Sequence, residues 1–279
     1  SPNYPTDVIN RPAKQIWALY TSQHTAAGLH KASIFPTPFP TATPQPTATP
    51  TNLSGYALTS NLAAYALRGA GTGTLATGTF AASGHFSKTY FALYGVVMVR
   101  QLSRAESFYQ RVETEYSTNI LNFGKTADDK LQVVIGTNTY TSAAAIFTSD
   151  NLNLPMEVGV MCNQSAGTVT FFYNGTVDAA ITAAFTYPTI TNEAHHLGNG
   201  LDGDVFFWSL ANGVLFPASS QHTPLREGLS QCPNCLLHYN LHEGSGATLT
   251  DRVTEQRGSG TAYNLTVSAG TWQAYPQQY

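Results

Sequence analysis

The sequence predicts an all-β fold, an antiparallel sandwich or barrel carried behind an extended N-terminal arm. Three observations predict it. Charged residues make up only 10% of the 279 residues, against about 25% in an average soluble chain. Their place is taken by Thr, Ser, Ala, Gly and Asn, with 15 Tyr and 14 Phe, a mixture of β-branched, aromatic and turn-forming residues that suits short strands. From Gly71 onward apolar and small residues recur with period two, broken at short intervals by turn clusters, which is the spacing of a sandwich or barrel.

Residues 1–35 form the arm. "RPAKQIWALY" (Arg11–Tyr20) predicts a short helix with Pro12 in its first turn. Ile16, Trp17, Leu19 and Tyr20 are too apolar for a free tail, and the arm is too short for a core of its own. It either folds back on its own domain or docks on another subunit. Residues 36–52 are a Pro/Thr-rich linker; "PTPFPTATPQPTATPT" favours polyproline II, at ~3.1 Å per residue. A semi-rigid spacer is most useful when its two ends bind different things. The arm is therefore expected to dock on a partner, with Trp17 and Tyr20 as the aromatic anchors.

Residues 53–279 form the sandwich. "TGTLATGTFAASGHF" alternates small and apolar residues, and "FALYGVVMVRQ" reads as a buried run. Turns are expected at Ala127-Asp128-Asp129, at Gln164–Gly167 and at Asn174-Gly175, the last a type I′ hairpin because both of its residues tolerate positive φ. In "DVFFWSL", alternation puts Val205, Phe207 and Ser209 on one face and Phe206, Trp208 and Leu210 on the other.

"LLHYNLHEGSGATLTDR", residues 236–252, reads as an opening strand, yet it stands near the end of the sequence. Leu237, Tyr239 and Leu241 are expected to point inward, and His238, Asn240 and His242 outward. The motifs around it carry a resemblance. "GTVTFFYNGTVDAA" followed by "GLDGDVFFWSLANGVL" resembles the second half of a laminin G-like, concanavalin A-like jelly roll, with Tyr173-Asn174-Gly175 and Gly203-Asp204-Val205 at the matching places. The family's opening phrase is matched by Glu243-Gly244-Ser245-Gly246, Thr248-Leu249-Thr250-Asp251, Asn264-Leu265-Thr266-Val267 and Trp272. The resemblance spans roughly residues 65–275 and implies an antiparallel two-sheet jelly-roll sandwich whose first strands come last here, so that strands within 236–275 complete it. Its pattern after Gly203 implies that the Val205 set faces the core and the Phe206 set the outer face, where an aromatic patch marks an interaction site, so Phe206 and Trp208 are the binding candidates.

Composition excludes some partners. A net charge of −3 with 13 scattered Lys and Arg argues against nucleic acid, which needs clustered cations. The longest apolar run, Phe91–Val99, falls well short of the ~20 residues of a membrane-spanning helix. Glu113 and Glu115 share a strand face ~6.5–7 Å apart, a spacing compatible with glycoside hydrolysis. Jelly-roll glucanases, however, carry a third acid in line, and Arg111 stands there instead. On a polar strand face such glutamates are expected to be solvated, so no catalytic residue is assigned. Cys232 and Cys235 form a local disulfide or two free thiols, with His238 and His242 too far apart along a strand to share a zinc ion. Cys162 is expected near the core. Asp202 and Asp204 are the place for calcium in domains of this resemblance, but two aspartates fall short of the six or more oxygens it takes. No metal or cofactor is expected.

The resulting expectation is a non-enzymatic virion structural, decoration or fibre protein. It would be anchored through the arm to other assembly subunits, homo-oligomeric, and located in a virion or outside the cell. The alternatives are a secreted carbohydrate-binding or adhesion module, with a glycan as partner, and a jelly-roll glycoside hydrolase.

Overall fold

The computed structural model describes residues 65–81, 89–113, 119–188, 192–212, 235–241, 243–253 and 262–275. The arm, with Trp17 and Tyr20, and the linker lie outside the described residues, as do Glu115, Cys232 and His242. The strands are β1 (Tyr65–Ala70), β2 (Thr74–Ala81), β3 (Tyr90–Val99), β4 (Glu106–Glu113), β5 (Asn119–Lys125) and β6 (Leu131–Ile135). There follow β7 (Asn138–Thr141), β8 (Pro155–Asn163), β9 (Thr168–Tyr173), β10 (Thr176–Val177), β11 (Ile181–Thr182) and β12 (Asn192–Asn199). The last are β13 (Asp202–Asn212), β14 (Cys235–Tyr239), β15 (Thr248–Leu249), β16 (Leu265–Val267) and β17 (Thr271–Ala274).

These strands form two antiparallel sheets packed as a sandwich, as the sequence predicts. Sheet I runs β10-β9-β8-β3-β13-β1-β17, with β11 also on β9 and β14 also on β13. Sheet II runs β15-β16-β2-β12-β4-β5-β6-β7. The hairpin from β9 to β10 turns at Asn174 and Gly175 with φ of 43° and 76°, the paired positive values of a type I′ turn. The C-terminal strands enter both sheets: β14 pairs with β13, β17 with β1, and β16 joins β15 to β2. Leu237, Tyr239 and Leu241 sit in the core between the sheets.

The two sheets differ in how they are covered. In sheet II the burial alternates strictly along β6, with Leu131, Val133 and Ile135 inward and Gln132 and Val134 half-exposed. In sheet I, β3 is buried from Phe91 to Val99. Phe91, Leu93, Val97 and Val99 of β3 belong to the inter-sheet core, while Ala92, Tyr94, Val96 and Met98 belong to a second apolar cluster on the outer side. Val253 is also part of that outer cluster, and Tyr275 packs against it. The nine-residue apolar run of β3 is thus a strand buried on both faces. His238 follows the same logic. It lies on the outer side as expected, but at 2% exposure; its Nδ1 is 2.8 Å from the Ser209 hydroxyl, and its ring meets Phe207 edge-on.

Candidate functional site

The expected orientation of "DVFFWSL" is corrected by a β-bulge. Along β13, Val205 pairs with Val97 but Phe207 pairs with Val96, so Phe206 is an extra residue in the ladder. One inserted residue reverses the facing of everything after it. Val205 points into the core as expected, but so do Trp208 and Leu210, while Phe206 and Phe207 both fall in the outer cluster. Trp208 is 0% exposed and stacks on Tyr109 of sheet II at 5.7 Å and 23°. Its indole lies across Gly95, where a Cβ would come within 2.1 Å of the ring; only glycine leaves room for it. Phe206 is 1% exposed, beneath Tyr275 at 4.9 Å. Neither binding candidate offers surface to a ligand, because both are used in packing.

The polar face expected around Arg111 and Glu113 is corrected as well. β4 and β12 pair so that Arg111 lies beside His195, and Glu113 beside Glu193, on the inward side. Arg111 is 2% and Glu193 0% exposed, and they form an ion pair. Arg111 also donates to the Tyr187 hydroxyl at 2.6 Å. Nε2 of His195 lies 3.1 Å from a Glu193 oxygen, and its Nδ1 lies 2.8 Å from the Tyr109 hydroxyl. Burial would raise Glu193, but His195 and Arg111 outweigh it and hold the carboxyl below its ordinary range. Burial lowers His195, despite Glu193, and keeps it neutral. This is an acid, a base and two phenols in contact, sealed between the sheets, where no substrate reaches them. Only the pairing of β12 with β4 brings Glu193 and His195 to Arg111, so neither is legible in the sequence as its partner. The alternation Glu-x-His-x-Leu along β12 was the available signal.

The remaining candidates are also occupied. The Asp204 carboxylate, 0% exposed, accepts from Arg68 at 2.9 Å and pairs with Arg100 and the Tyr275 hydroxyl. Three donors already neutralise the oxygens that calcium would take. Cys235 is disulfide-bonded, and Cys162 is a buried free thiol in the core.

The outer face of sheet II is a different surface. The register places one residue from each of its eight strands in a transverse row: Thr248, Thr266, Thr77, His196, Gln110, Asn122, Val134 and Thr139. At ~4.8 Å between strands the row extends ~34 Å. No charged residue stands on this side of any strand. The five charged residues of the sheet's strands, Glu106, Arg111, Glu113, Lys125 and Glu193, all occupy inward positions of the register. Burial lowers the pKa of His196, so the row carries no charge at neutral pH. Some of its polar groups are held in place. The Gln110 amide accepts from Asn199 at 2.9 Å and donates to Ser107 at 3.1 Å, and Thr74 donates to Asn199 at 3.2 Å. Thr248, Thr266 and Thr139 are exposed and His196 is half-buried, while Gln110 is buried; the exposed hydroxyls and the imidazole can exchange hydrogen bonds with a neutral ligand without desolvating an ion.

Comparison with solved structures supports the fold. A proposed carbohydrate-binding protein from Bacteroides ovatus superposes with a TM-score of 0.52 at 12% identity, over 76% of this chain and 60% of that one. The chain thus spans less than two thirds of that protein. Two others match less well: the extracellular region of zebrafish Gpr126/Adgrg6 (TM-score 0.43, 14% identity, 55% of this chain and 22% of that one) and a heptameric SAP-like pentraxin from Limulus polyphemus (0.41, 8%, 55% and 76%). No family model matches the sequence, and no curated protein does.

Proposed function

We propose that this chain is a non-catalytic carbohydrate-binding jelly-roll module, recognising a neutral glycan on the outer face of sheet II. The observation that carries the proposal is the segregation of charge in that sheet, with every ion turned inward and a row of hydroxyl, amide and imidazole groups turned outward. A sugar presents the complementary chemistry, many hydroxyls that both donate and accept. The sandwich likeness to a proposed carbohydrate-binding protein supports this reading over the virion role. That role was expected of the arm, which lies outside the described residues. The disulfide at Cys235 supports an oxidising, extracellular setting. The placing of β14–β17 in both sheets supports a laminin G-like jelly roll whose first strands come last in the chain.

Calorimetric titration of the full chain with neutral oligosaccharides tests the proposal. His196, at the centre of the row, is the residue to remove: His196→Ala is expected to weaken binding about tenfold, the worth of one good hydrogen bond, without lowering the melting temperature. Undiminished affinity in that variant would remove the face from consideration.

A further inference from the structure

A second surface has the same chemistry in a shallow, open groove. At the lateral edge of the sandwich a groove of about 770 Å³ runs between the β6–β7 turn, the β8–β9 turn and the segment from β11 onward. That is within the ~300–1,000 Å³ of ordinary ligand sites. Its polar lining is four hydroxyls, from Thr137, Ser165, Thr182 and Thr186, and two amides, from Asn138 and Gln164; no Asp, Glu, Lys, Arg or His contributes. Ala183 and Phe185, also in the lining, are 2% and 5% exposed.

The walls are fixed without a ligand. The Ala183 amide donates to Gly167 at 2.8 Å, the Tyr140 hydroxyl to the Ala184 carbonyl at 2.9 Å, and the Ala166 amide to the Asn163 side chain at 3.0 Å. β11 is paired to β9 through Ile181 with Val169 and Thr182 with Thr168. A groove built in advance loses little entropy on filling.

We infer that this groove is a second saccharide-binding site, for a neutral oligosaccharide, so that the module is bivalent. The inference rests on the carbohydrate-binding reading above but concerns a different surface. An anionic sugar would lose hydration with no cation in the groove to replace it. An extended peptide would need pockets for its side chains, and Phe185 is too deeply covered to form one. Two modest sites on one module give a polysaccharide chain far higher avidity than either alone.

The test is a titration of the full chain with neutral hexaoses of glucose, mannose, galactose and xylose, with sialyllactose and trigalacturonate as anionic probes. Wild type is expected to bind two equivalents of one neutral hexaose. Ala184→Trp, which obstructs the groove, should leave one equivalent, and His196→Ala should keep two with one of them weakened about tenfold; the two together should leave only that weakened equivalent. Gln164→Ala with Thr182→Ala, a milder change, should weaken the groove equivalent at least tenfold at an unchanged melting temperature. If both groove variants bind as wild type does, the second site is wrong while the carbohydrate reading stands. If no neutral probe binds wild type, both fall. Anionic probes displacing neutral ones from the groove would overturn the ligand class.

Discussion

In sheet I, β3 and β13 are buried along nearly their whole length, and the outer side is an apolar cluster with a carboxylate, Asp204, held among two arginines and a tyrosine. In sheet II, β6 and β12 alternate between core and surface, and the outer side is neutral and polar. Both sheets therefore keep free charge off their outer faces, by opposite means. Sheet I covers its face, and the buried acids there are partnered, Asp204 by two arginines and a tyrosine and Glu157 by the Tyr94 hydroxyl at 2.8 Å. Sheet II turns its charged residues inward, where Arg111–Glu193 and Lys125–Asp129 pair, beneath an outer face that is exposed at Thr248, Thr266 and Thr139 and buried at Gln110. Burying ion pairs brings no certain gain in stability over apolar packing. What the inward charges provide is an outward surface free of them.

The largest expected effect tests the double burial of sheet I. Trp208→Ala and Phe206→Ala should each lower unfolding free energy by about 3–5 kcal/mol, the range for large aromatic side chains lost from a packed interior. Val134→Ala on the outer face of sheet II should lower it by about 1 kcal/mol or less. Chemical denaturation measures all three. A loss at Phe206 as small as that at Val134 would mean that the outer side of sheet I is not a core, and the contrast between the sheets would collapse.

Next in size is the inward charge of sheet II. Glu193→Gln should destabilise by about 3 kcal/mol, because Arg111 keeps its charge in the interior after losing its counter-ion. Combining Glu193→Leu with Arg111→Met should recover most of that loss in the same denaturation experiment. A double variant less stable than either single one would show that the pair is worth more than its burial costs.

A pH dependence is expected at the other end of sheet II. Burial, ahead of the opposing influence of the Asp202 amide, Lys125 and Arg104, pushes Glu106 up to about 7 from 4.5. A carboxyl that holds its proton more tightly when folded contributes stability that is complete below about 4.5 and lost as pH rises through about 7. His195 and His196, lowered by burial, act in the opposite sense, losing their contribution as pH falls. The difference between wild type and Glu106→Gln isolates the glutamate: wild type should lose stability relative to the variant between pH 4.5 and 7. A constant difference across that window would show that Glu106 is ionised throughout.

Much of the fold was legible because strand rules act locally. Period-two alternation along β6, the apolar run of β3, the Asn174-Gly175 turn and the inward set Leu237, Tyr239 and Leu241 each depend on neighbours within a few residues in the chain. The expected position of Cys162 in the core followed from the same kind of reading. The candidate site was not legible in that way. Whether "DVFFWSL" turns Trp208 in or out depends on one unpaired residue, and the ladder between β13 and β3 alone reveals that Phe206 is unpaired.

By itself, then, the sequence determined that this protein is built of short antiparallel strands and which residues along most of them are apolar on one side. It also determined that the C-terminal segment has the pattern of core strands. The tertiary structure alone decided which strands are neighbours: that β12 lies against β4, so that Glu193 and His195 meet Arg111, and that eight separate positions line up as one uncharged row. The physical reason is range. Backbone sterics and side-chain alternation are set within a strand, whereas hydrogen-bonded register joins residues as far apart in the chain as Thr77 and Thr266, and a shift of one residue in that register exchanges the two faces of a sheet.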